Sequence, residues 1–420
     1  VEVVRGGGSA LFGASAIGGT INIITKEPTR NSAEVGHSFM SIGGKNSFDN
    51  ATSANVSLVT DDNKAGFYAY GQNRYRQAFD YDGDGYSELP VIHNQTFGVN
   101  SFLRLSPYSK LTAQYHGIQE FRRGGNMLDR VAHEANIAEQ VEHNIQGGGV
   151  SFDYISPNEK NRLNTYFSFQ TTARKSYYGG IGEGSPEDKE AAQKAYGTTH
   201  DFTHVLGAQY IHSFEKLLFM PSDLTLGAEY NYDGLKDIIV GYDRNFRQKV
   251  RIGSVFFQNE WKNKRWSFLA GGRLDKHNLV SHVIFSPRLN LRFNPTEDIN
   301  LRISYAGGFR APQAFDEDLH IGLAGGERLV TKLADNLKEE RSNSLSLSAD
   351  FYHKFGNVQT NLLVEGFYTD LNDVFALKQL DQPDSQGNIV QERYNAYGAK
   401  VLGVNIEGKA MFTKWFSLQA

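Results

Sequence analysis

Asp223-Leu224-Thr225-Leu226-Gly227-Ala228-Glu229-Tyr230-Asn231-Tyr232 decides the fold. Leu224, Leu226, Ala228, Tyr230 and Tyr232 fall on one side of an extended chain, and Asp223, Thr225, Glu229 and Asn231 on the other. Successive side chains of a strand point to opposite faces, so the alternation means one apolar and one polar face. The pattern recurs. Leu345, Leu347, Ala349 and Phe351 oppose Ser344, Ser346, Ser348 and Asp350, and Leu289, Leu291 and Phe293 oppose Arg288, Asn290 and Arg292. Leu111, Ala113 and Tyr115 oppose Thr112, Gln114 and His116.

The alternating segments often run to about ten residues, where strands of soluble proteins average about five or six. Some joins are short and turn-like: 262–264, 294–298 and 355–357. Others are long and polar: 76–94, 120–144, 173–200, 233–250, 307–341 and 371–396. Short turns alternating with long loops mark an antiparallel transmembrane β-barrel, with a polar lumen and an apolar face toward outer-membrane lipids. A propeller would need a fixed blade repeat, and none is visible. About seventeen strands are expected in residues 33–420. Barrels of this kind usually have an even number, so the last strands are expected to be missing and an edge left open. Tyr230, Tyr232, Phe367, Tyr368, Trp415 and Phe416 are expected in the interfacial aromatic girdles.

Composition narrows the function. The 420 residues carry a formal net charge of -4 and no cysteine. Disulfides, thiolate metal sites and cysteine nucleophiles are excluded, and the charge balance gives no case for a nucleic-acid partner. No apolar run is long enough for a transmembrane helix, which leaves a barrel untouched. No nucleophile–base constellation rises above chance, so an enzyme is not expected. An outer-membrane enzyme with a small barrel would need fewer strands.

A pore of this width needs closing, and the start of the chain bears on that. Gly13 to Gly18 has the glycine spacing of a phosphate loop, but Gly19 stands where the lysine must be. Val1-Glu2-Val3-Val4-Arg5-Gly6, Ser9-Ala10-Leu11-Phe12-Gly13 and Ala16-Ile17-Gly18-Gly19-Thr20-Ile21-Asn22-Ile23-Ile24-Thr25-Lys26 resemble the end of the plug domain of TonB-dependent outer-membrane receptors. Gly7 stands where that pattern has Pro, and Phe12 where it has Tyr. Tyr305-Ala306-Gly307-Gly308-Phe309-Arg310-Ala311-Pro312 resembles the FRAP motif of the same family, and Asp335-Asn336-Leu337-Lys338-Glu339-Glu340-Arg341-Ser342 its NPNL segment. The resemblance implies an all-β fold, 22-stranded in the family. Residues 1–26 would be the C-terminal remnant of the plug, 27–32 a linker, and 33–420 a barrel incomplete at its C-terminus. Arg5, Gly13, Gly18, Gly19 and Asn22 carry the plug motif, with Gly18 and Gly19 expected to let backbone pack against the wall. The resemblance also implies the outer membrane of a Gram-negative bacterium, the TonB–ExbB–ExbD complex as partner, and active uptake of a scarce metal chelate. A surface lipoprotein partner goes with the alternative of a glycan or peptide importer; a passive porin is the other alternative, and it would have no plug.

Cobalamin is placed slightly ahead of a ferric siderophore, then haem. The reason is Asp80-Tyr81-Asp82-Gly83-Asp84-Gly85-Tyr86-Ser87-Glu88. Asp80, Asp82 and Asp84 at i, i+2 and i+4, followed by glycine, have the spacing of a calcium loop, with Glu88 as a further ligand. The plain alternative is a solvated acidic loop. A similar loop occurs in the outer-membrane cobalamin receptor. Asp233, Asp237 and Asp243, in a later polar stretch, could complete such a site, though nothing in their spacing requires it. Haem, as a substrate, would find His320 between the two barrel motifs, with His133 and His143 as lesser candidates. Arg122 and Arg123 could hold the anionic groups of a chelate, and Arg310 belongs to the FRAP segment. Pro186 to Tyr196 reads as one short helix.

Overall fold

The computed structural model describes the chain apart from residues 1, 6–7, 15, 26, 45, 182–183, 315–318, 320–321, 325–326 and 386. Seventeen strands form a closed barrel, each antiparallel to the next along the chain. The alternating stretches lie inside them: 111–116 in Ser109–Gly125, 223–232 in Met220–Ile239, 289–293 in Ile284–Thr296 and 344–351 in Glu340–Phe355.

Directly opposite residues of neighbouring strands share a face, so the registers carry the lipid-facing set round the wall. Leu206 opposes Tyr230, and Tyr230 opposes Gly253; Leu226 opposes Phe257, and Phe257 opposes Gly272. On Tyr196–Leu217 this outer face runs from Phe202 and His204 through Leu206 to Tyr210 and His212. That is about the 9–11 residues that cross a bilayer. His204 stacks with Tyr232 at 5.1 Å in the upper girdle, and Trp266 stacks with Phe293 at 4.2 Å in the lower one. Tyr368 opposes Leu345 on the outer face, but Phe367 opposes Ser346 on the inner face. Adjacent residues of a strand cannot both face lipid, which corrects the girdle expected there.

The wall is taller than the polar segments suggest. Strands from Ser87 to Lys262 are 17 to 22 residues long. The loops expected at 76–94, 120–144 and 173–200 shrink, because strands reach Arg76, Gly125 and Gly179 and resume at Ser87, Ala138 and Tyr196. The loop expected over 233–250 is only the 3₁₀ turn Val240–Tyr242 and Asp243, which sits in the left-handed region at φ 49. The ladder's hydrogen bonds need no apolar face once the strand has left the lipid. Pairing therefore continues where the side-chain pattern has gone polar on both sides.

The described residues of 311–339 and 373–397 do leave the barrel, and the two stretches meet. Gly322–Ala324, Glu327–Leu333, Phe375–Gln379 and Ile389–Asn395 form a second, four-stranded sheet, in which Glu327–Leu333 runs parallel to Ile389–Asn395. Val330 and Val390 are its buried centre. The helix Pro186–Lys194 has its proline in the first turn and a capping box between Ser185 and Asp188. The ring closes where Ser417–Gln419, paired with Gly398–Met411, neighbours Ser32–Ser41. An open edge was expected there. Counting whole strands left no partner for the first one, yet three residues suffice to bridge it. With an odd number of alternating strands, the first and last run the same way.

Candidate functional site: the lumen mouth

The N-terminal segment forms its own two-stranded sheet, Glu2–Arg5 with Gly19–Asn22. Arg5 opposes Gly19, and Asn22 opposes Glu2, whose carboxylate accepts from the Asn22 amide at 2.9 Å. Between these strands the short helix Ser9–Phe12 docks on the inner wall. The fully buried Ser9 hydroxyl accepts from the Phe309 N–H at 3.1 Å. Gly13 has φ 75 and ψ -154, a conformation that only glycine adopts readily, and a Cβ there would lie 3.1 Å from Nη2 of Arg273. From the barrel side, a Cβ on Gly308 would lie 3.1 Å from the Ala16 carbonyl oxygen. The two segments that share a family resemblance, 9–17 and 305–312, thus pack on each other. Gly19 needs its glycine too, at φ 142. Gly18 does not fit the role expected of it. Nothing lies within 4 Å of where its Cβ would be, because Gly13, not Gly18, turns its backbone toward the wall.

Beneath Gly13, Arg273 is 2 % exposed and its donors are shared among three wall strands. Nε donates to Asp275 at 2.8 Å, and Nη2 donates to Glu229 at 2.7 Å and to the Ser254 hydroxyl at 2.8 Å. Higher on the inner face, Asp237 is fully buried against Arg244 at 2.8 Å and Arg174 at 3.6 Å, and it accepts from Thr199 at 2.5 Å. Asp237 is therefore committed to arginines, and Asp233 and Asp243 do not join the acidic loop.

That loop does converge. One carboxylate oxygen from each of Asp80, Asp82, Asp84 and Glu88 lies within 4.8 Å of the others. Its backbone already uses several of these oxygens: Asp80 accepts from Gly83 at 2.6 Å and Gly85 at 2.9 Å, and Glu88 accepts from Tyr81 at 2.5 Å. Gly83 and Gly85 supply φ 83 and φ 90 for the turn. Hard carboxylate oxygens in this arrangement fit an oxygen-preferring cation.

The loop joins two strands that carry inner-face cations. Arg76 opposes Ile92, and Ile92 opposes Arg122, so two guanidiniums flank Ile92 in one row across three strands. In the next row Arg74 makes a bidentate pair with Asp49 at 3.0 and 2.5 Å. Arg76 donates to the Pro90 carbonyl, and Arg122 meets Glu120 at 2.7 Å while remaining 54 % exposed. Arg76 escaped the sequence reading because 76–94 looked like loop; two residues from Arg74 in the strand Ala65–Arg76, it had to share its face.

The other candidates scatter. Arg123, next to Arg122, necessarily points the opposite way. It lies on the outer face opposite Gln140, 3 % exposed, and donates to Gln140 at 3.3 Å. Burial pushes its pKa below the usual arginine value, offset in part by Tyr196 and Tyr177. Arg123 therefore does not line the lumen. His133 is engaged by the Tyr196 hydroxyl at 3.0 Å. His116 and His143 lie on the inner face, opposite Gly147 and Arg174. Arg310 packs over the Phe375 ring at 5.6 Å, and Arg393 lies 5.9 Å from the same ring. His320 lies outside the described residues.

The β-barrel family described as TonB dependent receptor-like matches residues 29–420. The chain belongs to the TonB-dependent receptors. Its barrel therefore sits in the outer membrane of a Gram-negative bacterium, and its family is one of transport receptors rather than enzymes. The ferric enterobactin receptor PirA of Pseudomonas aeruginosa is 25 % identical over 406 residues, 84 % of this chain and 52 % of its own length. The chain thus spans about half the length of the curated relative it matches. The crystal structure of the siderophore receptor PirA from Pseudomonas aeruginosa superposes with a TM-score of 0.77 at 18 % identity, covering 100 % of this chain and 72 % of that one. PirA from Acinetobacter baumannii gives 0.73 at 18 % identity, covering 97 % and 64 %. At this identity the superpositions speak for the TonB-dependent fold alone.

Proposed function

We propose that this TonB-dependent receptor takes up a ferric siderophore, with the TonB–ExbB–ExbD complex supplying energy and residues 1–26 forming the end of its plug. The observation that carries the reading is the inner-face row Arg76–Ile92–Arg122. Guanidiniums at the mouth of a lumen suit an anionic chelate, because each presents several fixed donors to ligand oxygens. A catecholate complex of iron(III) is such an anion, and the name of the curated relative points the same way. Cobalamin, with no comparable set of anionic oxygens, moves behind the siderophore.

The test is fluorescence titration of the purified protein with ferric enterobactin, ferric alcaligin, cyanocobalamin and haem. Binding of a ferric siderophore that weakens at least tenfold in Arg76→Ala/Arg122→Ala is expected. Binding of cyanocobalamin alone would overturn the reading. The acidic loop favours one addition: Asp80, Asp82, Asp84 and Glu88 are proposed to bind calcium and to hold the loop above this row. Calorimetry with calcium is expected to show binding that Asp82→Ala abolishes; equal heats from the variant would leave only a solvated acidic loop.

A further inference from the structure

The outer wall carries a second cationic surface, unrelated to the lumen. On Arg244–Lys262, Arg247, Lys249 and Arg251 follow one another at i, i+2 and i+4, on the face that continues upward from Val255 and Phe257. Lys236, on the neighbouring strand, stands directly opposite Arg247, and His200 directly opposite Lys236. All four cations are exposed, and no described carboxylate is paired with any of them. The carboxylates of these two strands, Asp223, Glu229, Asp233, Asp237 and Glu260, are all on the inner face by register. Like charges directly opposite each other destabilise a sheet unless something balances them.

Their height identifies what does. Arg251 is directly opposite Tyr232, and Tyr232 belongs to the upper aromatic girdle. The Tyr232 side chain lies up along its strand, its hydroxyl 2.7 Å from where a Cβ on Gly234 would be. Gly234 is opposite Lys249, so the phenol is turned toward the cations and away from lipid. Girdle tyrosines mark the level of the headgroups, and same-face residues along a strand are about 7 Å apart. The ladder Arg251, Lys249, Arg247 therefore begins at headgroup level and rises out of it, on a membrane protein's lipid-facing side. Cations in this position attract anionic lipid surfaces, and guanidiniums match phosphate bidentately.

We propose that Lys236, Arg247, Lys249 and Arg251 form a binding surface for a phosphorylated lipid headgroup of the outer leaflet. The surface is independent of the ligand taken up through the lumen. Native mass spectrometry of the purified protein in non-ionic detergent tests it, with bisphosphorylated lipid A, its dephosphorylated form, phosphatidylcholine and inorganic phosphate as probes. The bisphosphorylated lipid is expected to be retained, and its retention to fall at least tenfold in Lys236→Gln/Arg247→Gln/Lys249→Gln/Arg251→Gln. A control, Lys264→Gln/Lys354→Gln, at turns on the other end of the barrel, is expected to bind as the parent does. Unchanged retention in the fourfold variant, or equal retention of the dephosphorylated lipid, would overturn the proposal. Inorganic phosphate that binds the same residues as tightly as the lipid would overturn it in favour of a free-anion site. Thermal unfolding of the fourfold variant without lipid, expected at the parent temperature, separates loss of the site from loss of the fold.

Discussion

Two groups of cations, one on the inner face and one on the outer, are held in opposite ways. Inside, Arg273 is held by Asp275 and Glu229, Asp237 lies between Arg174 and Arg244, and Arg74 is held by Asp49. Outside, above the girdle, Lys236, Arg247, Lys249 and Arg251 are exposed without carboxylates. The cause is the medium. A guanidinium that the N-terminal segment covers has lost its water and needs fixed acceptors, whereas one at the headgroup level can take counter-charge from solvent or lipid. For Arg273 and Asp237 it is burial that calls for a charged partner.

Breaking the inner arrangement is expected to be costly. Arg273→Met leaves the fully buried Asp275 without its guanidinium, at about 3–5 kcal/mol. Urea unfolding followed by tryptophan fluorescence reads it. The outer fourfold variant should stay within about 0.5 kcal/mol of the parent. Equal losses in both would erase the distinction.

Gly13→Ala comes next. It imposes a backbone conformation costly for any residue with a Cβ, at about 1–3 kcal/mol, and pushes on the Arg273 guanidinium. The loss falls on docking of the N-terminal segment, so limited proteolysis should cut near residues 5–20 faster while the barrel stays intact. Gly18→Ala, facing open space, is the matched control and should be silent.

The smallest effect concerns one side-chain hydrogen bond on the inner face. His277, the last residue of its strand and fully buried, accepts from the Leu279 N–H at 3.0 Å and lies 3.3 Å from the Gln313 side chain. His277→Ala removes the acceptor of the Leu279 N–H, so hydrogen exchange in residues 278–283 is expected to be modestly faster than in the parent at the same pH. Equal protection in the two proteins would show that this bond does not hold the turn.

The sequence by itself determined the barrel. Period two from Leu224 to Tyr232 needs only local geometry to be read, and strand length with turn spacing follows from it. The opening glycines and Tyr305 to Pro312 carried the family resemblance, and the acidic side chains spaced from Asp80 to Asp84 lie together in the structure. Where the strands end was not legible. Above the lipid the ladder no longer needs an apolar face, so 233–250 read as loop and is nearly all strand. Tertiary structure alone decided three things. It turned Gly13, rather than Gly18, onto Arg273. It paired two distant loops into the sheet of Glu327–Leu333 and Ile389–Asn395. And it separated inner cations held by carboxylates from an outer ladder without them, because which face a residue shares with its neighbours is fixed by cross-strand register, and register joins residues that the chain keeps far apart.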